Sequence, residues 1–480
     1  MADEHALDDD LTLAPAPEDG GRPDDRIDDA RMDEENTLKR EFVLSVKEAL
    51  EAGETGQVYD LVEPLHHADV ADLLELFERD ERATLAAAIT DLMTSEVVAE
   101  LNDYVREEMM EALPANAVAQ IAERLETDDA VQLIEDLDED DQKAVLAELD
   151  PEDRTAIETA LAYPEETAGR LMSRDFVAVP EHITVGDLID YLREERDIPE
   201  DFFEVFVVDS RMHPVGTCHL AWILRTPREI ALSDVMKRDQ TLIAAELDQE
   251  EVALMFQKYG LISAAVIDAD GRLVGQMTVD DIVHIIAEEA GEDALLMSGA
   301  GEGDINEPIR EAYSARLRWL VANLGTALVA SLIIAAFGTA IEKLVALAVL
   351  MPIVASIGGN AGTQTMAVTV RAIAMNQLTR SNTRRILTRE LRVAVLNGVT
   401  IAVLIGAATA AVFTPMLGVV IALAMVVNVL VAGLAGVLVP VAFDRLGQDP
   451  AVASSVFVTM ITDSMGFFAF LGLAVALRVV

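Results

Sequence analysis

Residues Met351–Ala374 read MPIVASIGGNAGTQTMAVTVRAIA. The stretch lies inside a nearly continuous apolar block, yet it holds Pro352, Gly358, Gly359, Asn360, Gly362 and Gln364 within about a dozen positions. Proline and glycine loosen helical backbone, and at bilayer depth loosened backbone is tolerated only where protein buries it or a water-filled cavity reaches it. Asn360 and Gln364 are four apart, so a helix carries both amides on one face. The stretch reads as a pore lining. Asp463 belongs with it, as the sole acid between Ala451 and Leu477. An ionised Asp near mid-bilayer costs roughly 2.5–3.5 kcal/mol on insertion scales. A cation site in a conduction path gives it a use; a protonated helix–helix contact is the structural alternative.

Around this stretch, five apolar runs at about 319–341, 345–374, 391–413, 417–441 and 452–477 are each long enough to cross ~30 Å of hydrocarbon. Arg316 and Arg318 precede the first run, and Arg380, Arg384, Arg385, Arg389 and Arg392 cluster between the second and third. Positive charge marks the cytoplasmic side. The expectation is a multi-pass plasma-membrane protein with residues 1–318 cytoplasmic and the C-terminus outside. Asn397 and Asn428 read as interhelical hydrogen-bond donors.

Charge divides the chain. Residues 316–480 hold 11 Lys+Arg and 5 Asp+Glu, leaving 24 against 80 for residues 1–315. Such a soluble half repels nucleic acid and anionic headgroups and leaves metal cations as partners. Lysine is confined to Lys39, Lys47, Lys143, Lys237, Lys258 and Lys343, the balance expected of a halophilic prokaryote, in which many carboxylates serve solvation alone. The lone Cys218 excludes an internal disulfide and a cysteine zinc site. No apolar segment opens the chain, so no cleavable signal peptide is expected, and residues 1–36, rich in acid, Pro and Gly, read as a disordered acidic tail.

From 37 to 163 the pattern is helical and repetitive. Leu101, Leu113, Leu125, Leu137, Leu149 and Leu161 recur every twelve residues, and acids recur at Asp128–Asp129, Asp140–Asp141 and Glu152–Asp153. Twelve residues make one short helix and a tight turn, so successive helices stack into a superhelix. The acids fall in first turns, where they are expected to cap free N–H groups and meet the positive helix end. Metal ligation is the other use.

A second repeat follows. Phe206-Val-Val-Asp209 recurs as Ala265-Val-Ile-Asp268, and Gly216 as Gly275, both 59 residues on. Each copy reads as helix, strand, turn, strand, helix, with helices at Val185–Arg193 and Gln249–Lys258. With the lead-in PEETAGRLM at Pro164–Met172, this resembles a pair of CBS domains, spanning 164–232 and 233–289. That resemblance implies a regulatory module for adenine nucleotides or ions, with no catalysis. The nucleotide version uses a Ser/Thr and an Asp three residues apart after the second strand. Thr278 and Asp281 supply them in the second copy, whereas the first has His219 and Trp222, so ATP is a candidate ligand of the second copy only.

The acidic helical N-domain, PEETAGRLM, two CBS copies, EEAGED at Glu288–Asp293, and five spans carrying PIVASIGGNAGTQ and ITDSMG together resemble the MgtE family of magnesium channels over roughly residues 38–480. The resemblance implies a multidomain membrane protein: α-helical superhelical N-domain, α/β CBS pair, connecting plug helix at 290–318, and all-α five-helix pore domain at 319–480. It implies a homodimer with one central pore, importing Mg2+ and closed by cytosolic Mg2+. The pore residues become Asn360, Gly358, Gly359, Gly362 and Gln364, with Asp463 as the selectivity acid. The best matches for the regulatory acids are Asp281, Glu289, Glu292 and Asp293, with Asp128 from the N-domain. His284 and Gln132 stand where the pattern favours acids. The membrane lipid is the other partner, and no obligatory protein partner is evident. A less selective Mn2+, Co2+ or Ni2+ transporter and a non-transporting CBS membrane sensor are the competing readings; the sensor leaves Asp463 and GGNAGTQ without a use. No nucleophile–base pair or phosphate loop points to an enzyme.

Overall fold

The computed structural model describes residues 31–32, 37–195, 198–199, 202–298, 307–379 and 381–479, with only the backbone described at 293 and 452–454. Most of the expected acidic tail, together with Gly299, Gly301, Gly303 and Arg380, lies outside the described residues. The chain divides into two units, Met1–Leu161 and Ala162–Val480.

In the first unit, ten α-helices run from α1 (Arg40–Glu51) to α10 (Pro151–Leu161) among the described residues. Leu101, Leu137 and Leu149 are buried in turns between helices, as the twelve-residue period predicts. The same period sets the capping. Arg82, Arg106, Gln142 and Arg154 each donate to the carbonyl five residues back, at Phe77 (3.0 Å), Leu101 (3.3 Å), Leu137 (2.8 Å) and Leu149 (3.2 Å). Carbonyls at helix ends have no partner within their own helix, and a donor from the next helix satisfies them. Arg106 also binds Asp136 at 2.7 Å, and Arg82 binds Glu108 at 2.9 Å.

The acids sit where expected, in the first turns of α8 (Thr127–Glu135), α9 (Glu139–Glu148) and α10. Two helix starts are capped from farther away. Asp138, at the N-cap of α9, makes no side-chain capping bond. The Asp150 N–H, at the start of α10, instead donates to Glu123, and the Asn102 N–H donates to Glu75, 27 residues apart in both cases. A cap from an earlier helix closes one superhelical turn onto the next.

The second unit opens with two three-stranded sheets. In the first, β1 (Ala178–Pro180) runs parallel to β2 (Glu204–Val208), which pairs antiparallel with β3 (Pro214–His219). The second repeats this with β4 (Leu242–Ala244), β5 (Ser263–Ile267) and β6 (Leu273–Thr278). Helices α12 (Val185–Glu194) and α15 (Gln249–Tyr259) match the predicted ones. The parallel strands β1 and β4 go beyond the sequence expectation. The lead-in also differs, because PEETAGRLM joins the second sheet and not the first that it precedes. Ser173 exchanges two backbone hydrogen bonds with Gln276 of β6 (2.9 and 2.8 Å), and Ala168 and Met172 lie in the core with Ile243 and Val266. Lys237 exchanges the corresponding pair with Thr217 of β3. Each copy is completed by the segment that precedes the other.

Helix α16 (Val279–Ser298) leaves β6, buries Ile282 and Ile285 in the second core, and continues without a break past residue 289. Its far end packs Leu296 and Met297 against a buried cluster of Met366, Val370, Ala435, Ala451 and Val458 in the membrane helices. The segment expected as a plug helix at 290–318 is therefore shared between the end of α16 and the start of α17 (Ile309–Ala336).

Five helices are long and apolar enough to span a bilayer among the described residues. They are α17, α19 (Ala346–Ala374), α20 (Thr383–Val412), α21 (Pro415–Arg445) and α22 (Pro450–Ala476). The first span ends at Ala336, before the expected 341, and the short α18 (Gly338–Lys343) follows. Helix α21 is central, burying residues from Leu417 to Val441, whereas α17 exposes Leu320, Val321, Leu324, Leu328 and Leu332. Asn397 is exposed on α20.

Candidate cation pathway

Helix α19 runs unbroken through Pro352 and Gly358-Gly359-Asn360, so its glycines do not unwind it. They sort onto two faces. Gly358 and Gly362 are buried with Val354 and Met366. A Cβ on Gly358 would lie 2.1 Å from Nδ2 of Asn428 on α21, and one on Gly362 would lie 2.6 Å from Val458 on α22. These two positions admit no side chain because neighbouring helices approach closely. Gly359 has nothing within 4 Å of such a Cβ, and Asn360 and Gln364 are exposed on the face this chain leaves open.

Asp463 is half-exposed on α22. Thr462 faces the Gly362 position, with its Cγ2 3.3 Å from a Cβ there, and Gly466 faces Gly358 through the Asn428 amide. The two helices are antiparallel across these contacts, which sets Asp463 level with Asn360 and Ala361. Asp463, Asn360 and Gln364 keep their oxygens at least partly exposed, whereas Gly358 and Gly362 are buried as packing.

A second cluster lies where α16 meets the membrane helices. Burial first, and then Glu289, Glu166, Asp449 and Glu288, hold the Glu292 carboxyl up at about 7. Glu166 is likewise raised, by burial and then by Glu289, Asp248 and Glu165. Glu289 accepts from Gln249, and Asp449 caps α22 by accepting from the Ala451 N–H at 2.7 Å. Like charges packed this closely disfavour ionisation until a cation or proton arrives.

The expected sensor acids do not all meet. Glu289 and Glu292 share this junction, while Asp281 stands in the first turn of α16, about 12 Å away along the axis at 1.5 Å per residue. Burial raises the Asp281 carboxyl, opposed by the Thr278 hydroxyl, which donates to it at 2.6 Å. Asp128 belongs to the first unit, and the Asp293 side chain lies outside the described residues. Glu166 and Asp449 were missed. Asp449 before Pro450 reads in sequence only as a helix cap, and Glu166 reads only as part of PEETAGRLM.

In the first CBS copy, Glu204 is buried, accepts from the Ser263 hydroxyl at 2.9 Å, and lies 3.8 Å from His219. His219 meets Trp222 edge-on. Elsewhere, Glu123, Asp150 and Asp153 bring carboxylate oxygens within 4.8 Å of one another, but all three are exposed.

Comparison with known proteins follows the same layout. Residues 351–473 match the MgtE family described as a divalent cation transporter, 65–166 match the MgtE intracellular N domain, and 168–221 and 232–288 match the CBS domain. The magnesium transporter MgtE of Enterococcus faecalis is 32% identical over 318 residues, covering 65% of this chain and 70% of that protein. That of Thermus thermophilus is 31% identical over 321 residues, covering 66% and 71%. Among solved structures, the cytosolic domain of the Mg2+ channel MgtE in complex with ATP is similar at 27% identity and a TM-score of 0.46, covering 51% of this chain and 99% of that one. The soluble part of a magnesium transporter is similar at 25% identity and 0.45, covering 52% and 98%.

Proposed function

The chain belongs to the MgtE family of divalent cation transporters, and from that premise we propose that it carries Mg2+ inward across the plasma membrane as a homodimer, with residues 1–318 in the cytosol. Mg2+ dehydrates reluctantly and takes oxygen ligands in octahedral geometry, often through retained waters. Asp463, Asn360 and Gln364 offer such oxygens on faces that a single chain leaves open. Two copies facing across a two-fold axis bring two Asp463 carboxylates to one hydrated ion. The close packing of Gly358 and Gly362 against α21 and α22 supports this by fixing the height of the amides.

Closure belongs to the acidic junction. Cytosolic Mg2+ neutralises the repulsion among Glu166, Glu289, Glu292 and Asp449, with Asp281, Asp293 and Asp128 as further sensor acids. The observation that carries this reading is Glu292: its carboxyl stands at about 7 beside a helix end packed against α22 and the buried cluster that includes Val458 and Met366. Adenine nucleotide, ATP included, docks in the second CBS copy at Thr278 and Asp281.

Proteoliposomes with an internal Mg2+ indicator test the function. Wild type takes up Mg2+, Asp463→Asn does not, and uptake falls as cytosolic-side Mg2+ rises. Uptake of Mn2+ as readily as Mg2+ would favour the less selective transporter.

A further inference from the structure

One buried polar side chain is used neither by the oxygen-bearing set nor by the acidic junction. Asn428, in the middle of α21, is 0% exposed. Its Nδ2 donates to the Val354 carbonyl of α19 at 2.9 Å, and its Oδ1 has no hydrogen-bond partner. Glycines cover the amide on both sides: a Cβ on Gly358 of α19 would lie 2.1 Å from Nδ2, and a Cβ on Gly466 of α22 would lie 2.7 Å from it. A planar amide is thus held between two helices at positions where neither carries a side chain. No ion reaches a fully buried Oδ1, so Asn428 is not a ligand.

We infer that Asn428 is a positioning residue for conduction, fixing the register of α19 against α22 and hence the spacing of Asn360 and Asp463. Gly358 precedes Asn360 by two residues, and Gly466 follows Asp463 by three. The Val354 hydrogen bond fixes the height of α19, because a slide along the axis breaks it. The Gly466 contact gives α22 the same reference. A leucine has the same branched skeleton without burying an unpartnered oxygen; the amide adds direction, which a leucine lacks.

This inference rests on the divalent-transport reading, and the test separates the two. Asn428→Leu is reconstituted beside wild type and Asp463→Asn, and uptake is followed across Mg2+ and Mn2+ concentrations. Misplacing a site by about 1 Å can cost up to 100-fold. The expected result is therefore a monodisperse, folded Asn428→Leu protein whose half-saturating Mg2+ concentration rises about tenfold and whose preference between the two ions shrinks. Should this variant fail to fold, Asn428→Ala combined with Gly358→Ala returns a methyl to the vacated space and is read in the same way. A folded variant with wild-type half-saturation and preference, alongside an inactive Asp463→Asn, overturns the register inference alone. Wild type passing Mn2+ and not Mg2+ overturns the magnesium reading, and the register comparison is then made in Mn2+. Wild type passing neither ion overturns both.

Discussion

Adjacent glycines on α19 are expected to respond to alanine in opposite directions. At Gly358 the new Cβ would stand 2.1 Å from Asn428 Nδ2 and 2.8 Å from its Cγ, so helix α21 or the amide must move. Overpacking of this kind costs about 1–3 kcal/mol. A displaced amide also loses the Val354 carbonyl while staying buried, a further penalty of about 1–3 kcal/mol. Gly358→Ala should therefore destabilise by about 2–5 kcal/mol, after allowing for a small gain in helix propensity. At Gly359 a Cβ meets nothing within 4 Å, and replacing a mid-helix glycine with alanine should stabilise by roughly 0.5–1 kcal/mol. The two variants should differ by about 3–6 kcal/mol although they are neighbours. Heating purified protein in steps and measuring the monodisperse fraction by size-exclusion chromatography reads the difference. Equal midpoints, or a lower one for Gly359→Ala, would refute the assignment of faces on α19.

The acidic junction predicts a pH effect. Glu292 is held at about 7, above its ordinary 4.5, so the folded junction is penalised fully above about pH 7 and is relieved as pH falls toward the ordinary carboxylate range. Uptake at low cytosolic-side Mg2+ should then drop between about pH 8 and 6, and Glu292→Gln should flatten that drop; a wild-type response identical to that of Glu292→Gln sinks the idea. Changing Asp281, Glu289, Glu292 and Asp293 together to Ala should leave uptake that no longer declines at high cytosolic-side Mg2+, and a retained decline would move the sensor elsewhere. Arg106→Ala strands the half-buried Asp136, so the N-domain should lose about 3–5 kcal/mol, read by urea unfolding of the full chain, with a shift under about 1 kcal/mol counting against the interlock. Asp281→Asn should abolish ATP binding in equilibrium dialysis, and unchanged binding refutes the nucleotide reading.

Periodicity made much of the fold legible. The twelve-residue leucines located the helical turns, the 59-residue offset found both CBS copies, and hydropathy found five spans. The failures share a physical cause, because they depend on groups far apart in sequence. Strands β1 and β4 are three residues long, too short to display alternation. The exchange of lead-in segments between sheets is a pairing of Ser173 with Gln276 that no local pattern announces. At Asn102 and Asp150 the backbone N–H is capped by a Glu 27 positions away. For the candidate site, GGN drew attention to the right helix, yet sequence could not separate a glycine that loosens backbone from one that admits a neighbour. Only Asn428, Val458 and Gly466 make that distinction, and Glu166 and Asp449 join Glu292 only through the fold.

Helix α16 joins the second CBS core to the membrane bundle with no flexible joint in its 20 residues. Its acids and its docking pair are consequently locked in angular phase. Glu289, Glu292 and Leu296 follow one another at spacings of three and four and share one stripe. One residue inserted between Glu292 and Leu296 would turn the docking pair by about 100° and advance it 1.5 Å, carrying it off its seat against α22. Seven inserted residues would restore the angle to within about 20° while lengthening the rod by roughly 10 Å. A change in the length of this helix disconnects the second CBS core from the membrane helices, which a substitution along it does not.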